Sequence, residues 1–210
     1  MASEARADLV INEIMSRPIN QSTNGQYEFI ELFHTGNTAV DIGGYILTDS
    51  EDWANFCNDP MPTSTSDNEG YVIIAANTIV PANSYFTLWH NAIPGVTDQP
   101  NTYVYSNSSI ANIVLLDSGD QVTLLKCENG VPVVVDSVVL SDVQPIGILG
   151  HNISIERVDP AVASNVRSNW KFTKGISRTD LNLSGYVPGG TPGGVNTVSC
   201  PTGFAFHEGE

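Results

Sequence analysis

The sequence predicts an all-β fold, an antiparallel β-sandwich, and three observations carry that prediction. Short runs rich in Val, Ile, Tyr, Phe and Thr recur along the 210 residues. Gly, Pro, Asn and Asp separate them, as at Asn24-Gly25, Gly43-Gly44, Ser118-Gly119-Asp120 and Asn129-Gly130, where turns demand such residues. No window keeps apolar residues at helical spacing for three turns, so helix is expected only as short pieces. With 41% hydrophobic residues the chain can bury a sizeable core.

In chain order, strands are predicted at residues 9–15, 27–34, 45–49, 70–74, 85–89, 121–126, 131–140 and 153–157, with a short one at 170–173. Strands so spaced, with no helices between them, pair antiparallel and stack as two sheets. Two long insertions interrupt the pattern. Residues 50–69 are acidic and rich in Pro, Ser, Thr and Asn, a surface loop by composition. Residues 91–112 form the second. The glycines and prolines of 184–194 suit a closing loop or linker. This divides the chain into an N-terminal tail or signal remnant (1–7), one sandwich domain (8–196) and a C-terminal tail or linker (197–210). The strand at 9–15 lies near a chain end; it either pairs within its own sheet or exchanges between copies.

The balance of 23 acidic against 8 basic residues gives a formal charge of -15. Clustered Lys and Arg are what neutralise phosphates, so a nucleic-acid partner is not expected; nor is membrane insertion, since no apolar run approaches the roughly 20 residues a bilayer requires. Lys is scarce and Ser, Thr and Asn abundant, as in extracellular β-proteins. Cys57, Cys127 and Cys200 match no zinc spacing. In an oxidising compartment one pair can form, by any of three pairings.

An ordered series of motifs carries a family resemblance. It opens with Val10-Ile11-Asn12-Glu13-Ile14 and continues through Tyr27-Glu28-Phe29-Ile30-Glu31-Leu32, the stretch from Val40 to Asp49, and Gly119-Asp120-Gln121-Val122-Thr123-Leu124. It closes with Ile153-Ser154-Ile155-Glu156-Arg157, Asn169-Trp170 and Thr191-Pro192-Gly193-Gly194-Val195-Asn196. In this order the chain resembles the lamin-tail domain family, in the form found in prokaryotic exported proteins. The resemblance implies an immunoglobulin-like sandwich and a scaffold rather than an activity.

Chemistry is sparse. Neither a nucleophile elbow, a helix-borne His-x-x-x-His pair nor a phosphate-binding loop is present. Glu13, Glu28 and Glu31 fall in strand segments and are expected on an outer face or paired with Arg157 or Arg167. Calcium is the best metal candidate, because it takes 6–8 oxygen ligands. Asp49, Glu51, Asp52 and Asp59 concentrate carboxylates at the end of a predicted strand. Trp53, Trp89, Tyr103 and Tyr105 flank the insertions and offer a stacking platform for carbohydrate. The reading is a non-enzymatic, secreted or cell-surface structural or adhesive module that engages protein partners or itself. The alternative is an accessory substrate- or carbohydrate-binding domain of a secreted hydrolase.

Overall fold

A computed structural model describes residues 9–16, 18, 27–58, 70–92, 97–105, 113, 115, 120–143, 153–173 and 190–198. Among them the fold is a sandwich of two main sheets, with helix confined to α1 (Leu140–Val143) and one 3-10 turn at Arg167–Asn169. The first sheet joins β1 (Leu9–Met15), β2 (Phe29–His34), β7 (Tyr85–His90), β8 (Thr102–Tyr105), β11 (Ile155–Arg157) and β12 (Trp170–Phe172) in the order β12-β11-β1-β2-β7-β8. The second joins β4 (Ile46–Thr48), β5 (Tyr71–Ile73), β9 (Gln121–Glu128) and β10 (Val131–Val139) in the order β10-β9-β4-β5. A small ribbon pairs β3 (Val40–Asp41) with β6 (Ile79–Val80).

The nine predicted strands all form, several trimmed by a residue or two. β3 and β6 were not predicted, because two-residue strands carry no periodicity to read. Nor was β8, which lies inside the second insertion and pairs parallel with β7, the one departure from antiparallel pairing among these strands. β1 sits between β11 and β2, bonded on both sides, so strand 9–15 pairs within its own sheet and is not an edge open to exchange. The hairpin β9–β10 turns at Asn129 (φ 52°) and Gly130 (φ 78°), two successive left-handed residues that suit Asn-Gly and match the twist of the strands.

The core fills the space between the sheets. Leu9, Ile11 and Ile14 of β1 meet Ile30, Leu32, Phe86, Leu88 and Ile155 of the same sheet and Leu47, Val72, Val122, Leu124 and Val138 of the other. Trp170 is fully buried among them and donates its Nε1–H to Ser164 O at 2.8 Å, so this large ring loses no hydrogen bond. No helix among the described residues is long and apolar enough to cross a membrane.

β1 does not alternate regularly. Its register with β2 shifts between Ile11 and Glu13, leaving Asn12 as a bulge. Strict alternation would put Glu13 on the same face as Leu9 and Ile11. The extra residue reverses the phase: Leu9, Ile11 and Ile14 face the core, and Glu13 and Met15 face the other way. Past the end of β11, the backbone of Ile11 is satisfied by side chains. Its N–H donates to Asp136 Oδ2 at 2.8 Å, and Arg157 Nη1 donates to its carbonyl at 2.9 Å. Arg157 and Asp136 are themselves paired at 2.9 Å, which ties β10 of the second sheet to the bulge.

Candidate functional site

The bulge creates the most unusual chemistry in the molecule. Glu13 of β1 lies directly opposite Glu156 of β11 and directly opposite Glu31 of β2. Directly opposed residues share a face, so three carboxyl groups stand abreast on three adjacent strands. The row extends to Lys171 beyond Glu156 and to Thr87 and Thr102 beyond Glu31, one residue from each of the six strands. Lys171 is exposed, whereas all three glutamates are completely buried.

What buries them is the segment 190–198, laid across the row as a strap. Thr191 N donates to Glu13 Oε1 at 2.9 Å and Gly193 N to Glu31 Oε2 at 2.6 Å. Thr197 Oγ1 and Val198 N both donate to Glu156 Oε2, at 2.7 and 3.2 Å. Asn196 Nδ2 donates to the carbonyls of Asn12 and Arg157, while its Oδ1 accepts from Asn12 Nδ2. From within the sheet, Ser154 Oγ donates to Glu13 Oε1 and Asn12 Nδ2 to Glu31 Oε1. Gly190 is required for close approach: a Cβ there would collide with Glu13 Oε1 and stand 2.8 Å from Phe29 Cζ and 2.9 Å from Ser154 Oγ.

Burial dominates the electrostatics. Loss of water raises the Glu13 carboxyl to about 7, and the neighbouring Glu156 charge pushes the same way against the opposing hydrogen bonds. Burial and then the charge of Glu13 hold Glu31 well above the usual carboxylate range. Across the row, the Tyr85 phenol is raised by burial, then by Glu31 and Glu13.

Glu13 and Glu31 do lie on the outer face of their sheet, as expected, but that face is covered by the strap, and neither Arg157 nor Arg167 pairs with them. Glu13, Glu28 and Glu31 are all buried. Arg157 pairs with Asp136, and Arg167 donates to the carbonyls of Asp142 and Ser141. Glu28 accepts from Leu115 N at 2.9 Å. A sequence signal was available at Glu31 alone, which sits between apolar neighbours in Ile30-Glu31-Leu32, whereas Glu13 and Glu156 each have one polar neighbour, Asn12 and Arg157. The Thr191–Asn196 motif supplies donors that cover the row.

The structure places three of the four proposed calcium ligands. Asp49 is buried and accepts the Gly70 N–H at 2.6 Å, closing the loop at its base. Glu51 and Asp52 are exposed. Asp59 lies outside the described residues. Among the described residues no three His, Cys, Asp or Glu side chains are arranged to hold a metal ion. The start of the first insertion instead folds onto the second sheet. Trp53 packs against a small cluster of Ile46, Phe56, Tyr71 and Leu125, and Cys57 is disulfide-bonded to Cys127 of β9, with Cα atoms 5.6 Å apart. Cys200 is not among the described residues.

Of the four aromatic residues expected at the platform, two are buried. Trp89 is buried against Phe29 with ring centres 4.7 Å apart, and Tyr105 is buried and stacked on His90 at 5.3 Å. Only Trp53 and Tyr103 of the four keep partial exposure.

A two-sheet all-β sandwich of this kind is, as a class, an immunoglobulin-like β domain. The lamin tail domain family model matches residues 2–142, and the chain belongs to that family, a non-enzymatic one. The fold confirms the resemblance carried by the motifs. Among solved structures, a DUF4876 family protein from Bacteroides thetaiotaomicron VPI-5482 is similar at 11% identity and a TM-score of 0.45, covering 79% of this chain and 68% of that one. None of the curated proteins matches.

Proposed function

We propose that this chain is a non-enzymatic, extracellular structural or adhesive module, working as a unit of a cell-surface assembly through protein partners or copies of itself. One observation carries the reading: the side chains most capable of chemistry are used to hold the fold. Glu13, Glu31, Glu156 and Arg157 are buried and bonded to strands and strap, and His34 is buried with its Nδ1 on Pro81 O at 2.9 Å. The Cys57–Cys127 bond supports an oxidising location, where such bonds persist. The excess of acid favours solubility outside the cell and disfavours anionic partners.

The test is light scattering of the purified chain over a range of concentrations, with retention on insoluble cellulose, chitin and peptidoglycan measured alongside. Multimers that grow with concentration, without retention on the polysaccharides, are expected. A monomer retained by a polysaccharide would overturn the reading in favour of an accessory binding domain, and a monomer that is not retained would also remove the self-assembling form of the proposal.

A further inference from the structure

The strap is held by hydrogen bonds rather than by apolar contact. Val195 is 69% exposed, and the buried residues of 190–198 are Gly190 and Asn196. The carboxyl row therefore decides whether the strap stays. A count of hydrogens at one point of that row is decisive. Thr191 Oγ1 lies 3.0 Å from Glu13 Oε2, 3.1 Å from Glu156 Oε1 and 3.5 Å from Asn196 Oδ1. A hydroxyl carries one hydrogen and so can donate to one of them. Asn196 cannot supply another, because its Nδ2 is committed to the carbonyls of Asn12 and Arg157. The other oxygens of the row already have donors: Glu13 Oε1 from Ser154 and Thr191 N, Glu31 from Asn12 and Gly193, Glu156 Oε2 from Thr197 and Val198. Two carboxylates on one hydroxyl hydrogen leave an oxygen–oxygen contact with nothing between.

We propose that segment 190–198 is a proton-dependent latch, closed by a hydrogen held between Glu13 and Glu156 at Thr191 Oγ1 and released when that hydrogen leaves. With the proton present, one carboxyl donates to Thr191 Oγ1 and the hydroxyl donates to the other. Without it, three adjacent strands present three carboxylates abreast, and like charges directly opposed repel. Among the described residues, the groups facing the site from each packed element are Glu31 on β2, Tyr85 on β7 and the exposed Lys171 on β12; the strap and β8 bring no ionisable side chain to it. The guanidinium of Arg157 is committed to Asp136 and Ile11 O. Closing the strap removes Glu13 from water and so raises its proton affinity, as its value of about 7 reflects. By linkage, rising pH favours the open strap.

Amide hydrogen exchange of the full chain, corrected for intrinsic rates, reads the latch directly. Protection of the Thr191, Gly193 and Val198 amides should fall by at least about tenfold between about pH 6 and pH 8.5, while amides of the β2–β7 ladder hold steady. In Glu13→Gln the side-chain amide replaces the held hydrogen permanently, and strap protection should become flat with pH. Flat protection in the wild-type chain, or the same fall in Glu13→Gln, would overturn the proposal. Should that variant fail to fold, carboxyl-carbon NMR of the wild-type chain decides. A signal from Glu13 or Glu156 still protonated at about pH 6.5 supports the latch, and both ionised by about pH 5.5 would overturn it.

Discussion

Asn12 does more for this molecule than its small size suggests. As the bulged residue it turns Glu13 out of the core face, and its side chain then joins Glu31 to Asn196 of the strap. Gly190 is as constrained, because the strap can seat only where no side chain stands between it and Glu13, Phe29 and Ser154. Gly190→Ala should therefore lift the strap and cost about 1–3 kcal/mol, read as a lower urea midpoint. The same change should return Glu13 toward ordinary carboxyl titration, which an alanine that merely fits would not do. Asp49 illustrates a carboxylate whose role is structural. Its buried bond to Gly70 N closes the first insertion, so Asp49→Ala should cost about 1–3 kcal/mol. That loss should be equal in millimolar calcium and in chelator; a loss seen only with calcium would restore Asp49 as a metal ligand.

At the scale of elements, the start of the first insertion is held to the second sheet. That segment, 50–58, is anchored by the Phe56–Tyr71 contact, with rings 5.3 Å apart, and by the disulfide to β9. The bridged cysteines are 70 residues apart, so the bond closes a large loop in the unfolded chain and removes open conformations from that ensemble. Reducing it, or replacing both cysteines by serine, should lower stability by about 2–4 kcal/mol. The effect should appear as a shifted urea midpoint and as faster exchange in 50–58, with the β1–β2 ladder protected until global unfolding. The edge strand β10 is long and partly exposed, with Val131 59% and Val134 42% accessible, yet it carries Pro132 and a register shift between Val134 and Asp136. Both features discourage uncontrolled edge pairing. The shift also presents Asp136 to Ile11 N and Arg157, so one irregularity blunts an edge and joins two sheets.

For the whole molecule, the formal charge of -15 counts every carboxyl as ionised. Burial raises Glu13 to about 7 and pushes Glu31 in the same direction, so folding favours proton uptake at the row. The consequence for stability has a definite sign. Glu13 rises from 4.5 in the ordinary state to about 7 on folding. Its contribution is fully present below about 4.5 and is lost as pH rises through about 7. From Glu13 alone the loss is of order 3 kcal/mol, and Glu31 adds to it in the same direction. Surface repulsion among acids acts likewise but is screened by salt. Urea unfolding in about 0.5 M salt should still show a lower midpoint at about pH 8 than at about pH 5, and Glu13→Gln should flatten that slope. Stability that is level or rising over this interval would contradict the burial of the row.

How much of this was legible beforehand follows from the range of each interaction. Strand existence, the Asn129-Gly130 turn and the sandwich class rest on local alternation and turn chemistry, which a sequence displays directly, and β1 was delimited to the residue. The ordered motifs from Val10 to Asn196 carried the family. β8 escaped because its pairing partner is chosen by the sheet and not by its own four residues. The glutamate row escaped for a related reason: Glu13, Glu31 and Glu156 are far apart in the chain, and only strand order and a one-residue bulge bring them abreast. Which cysteine pairs with Cys57 likewise depends on the distance between β9 and the first insertion. Alternation and turns are properties of neighbours along the chain; proton affinity, burial and cross-linking are properties of neighbours in space, and those the tertiary structure alone decided.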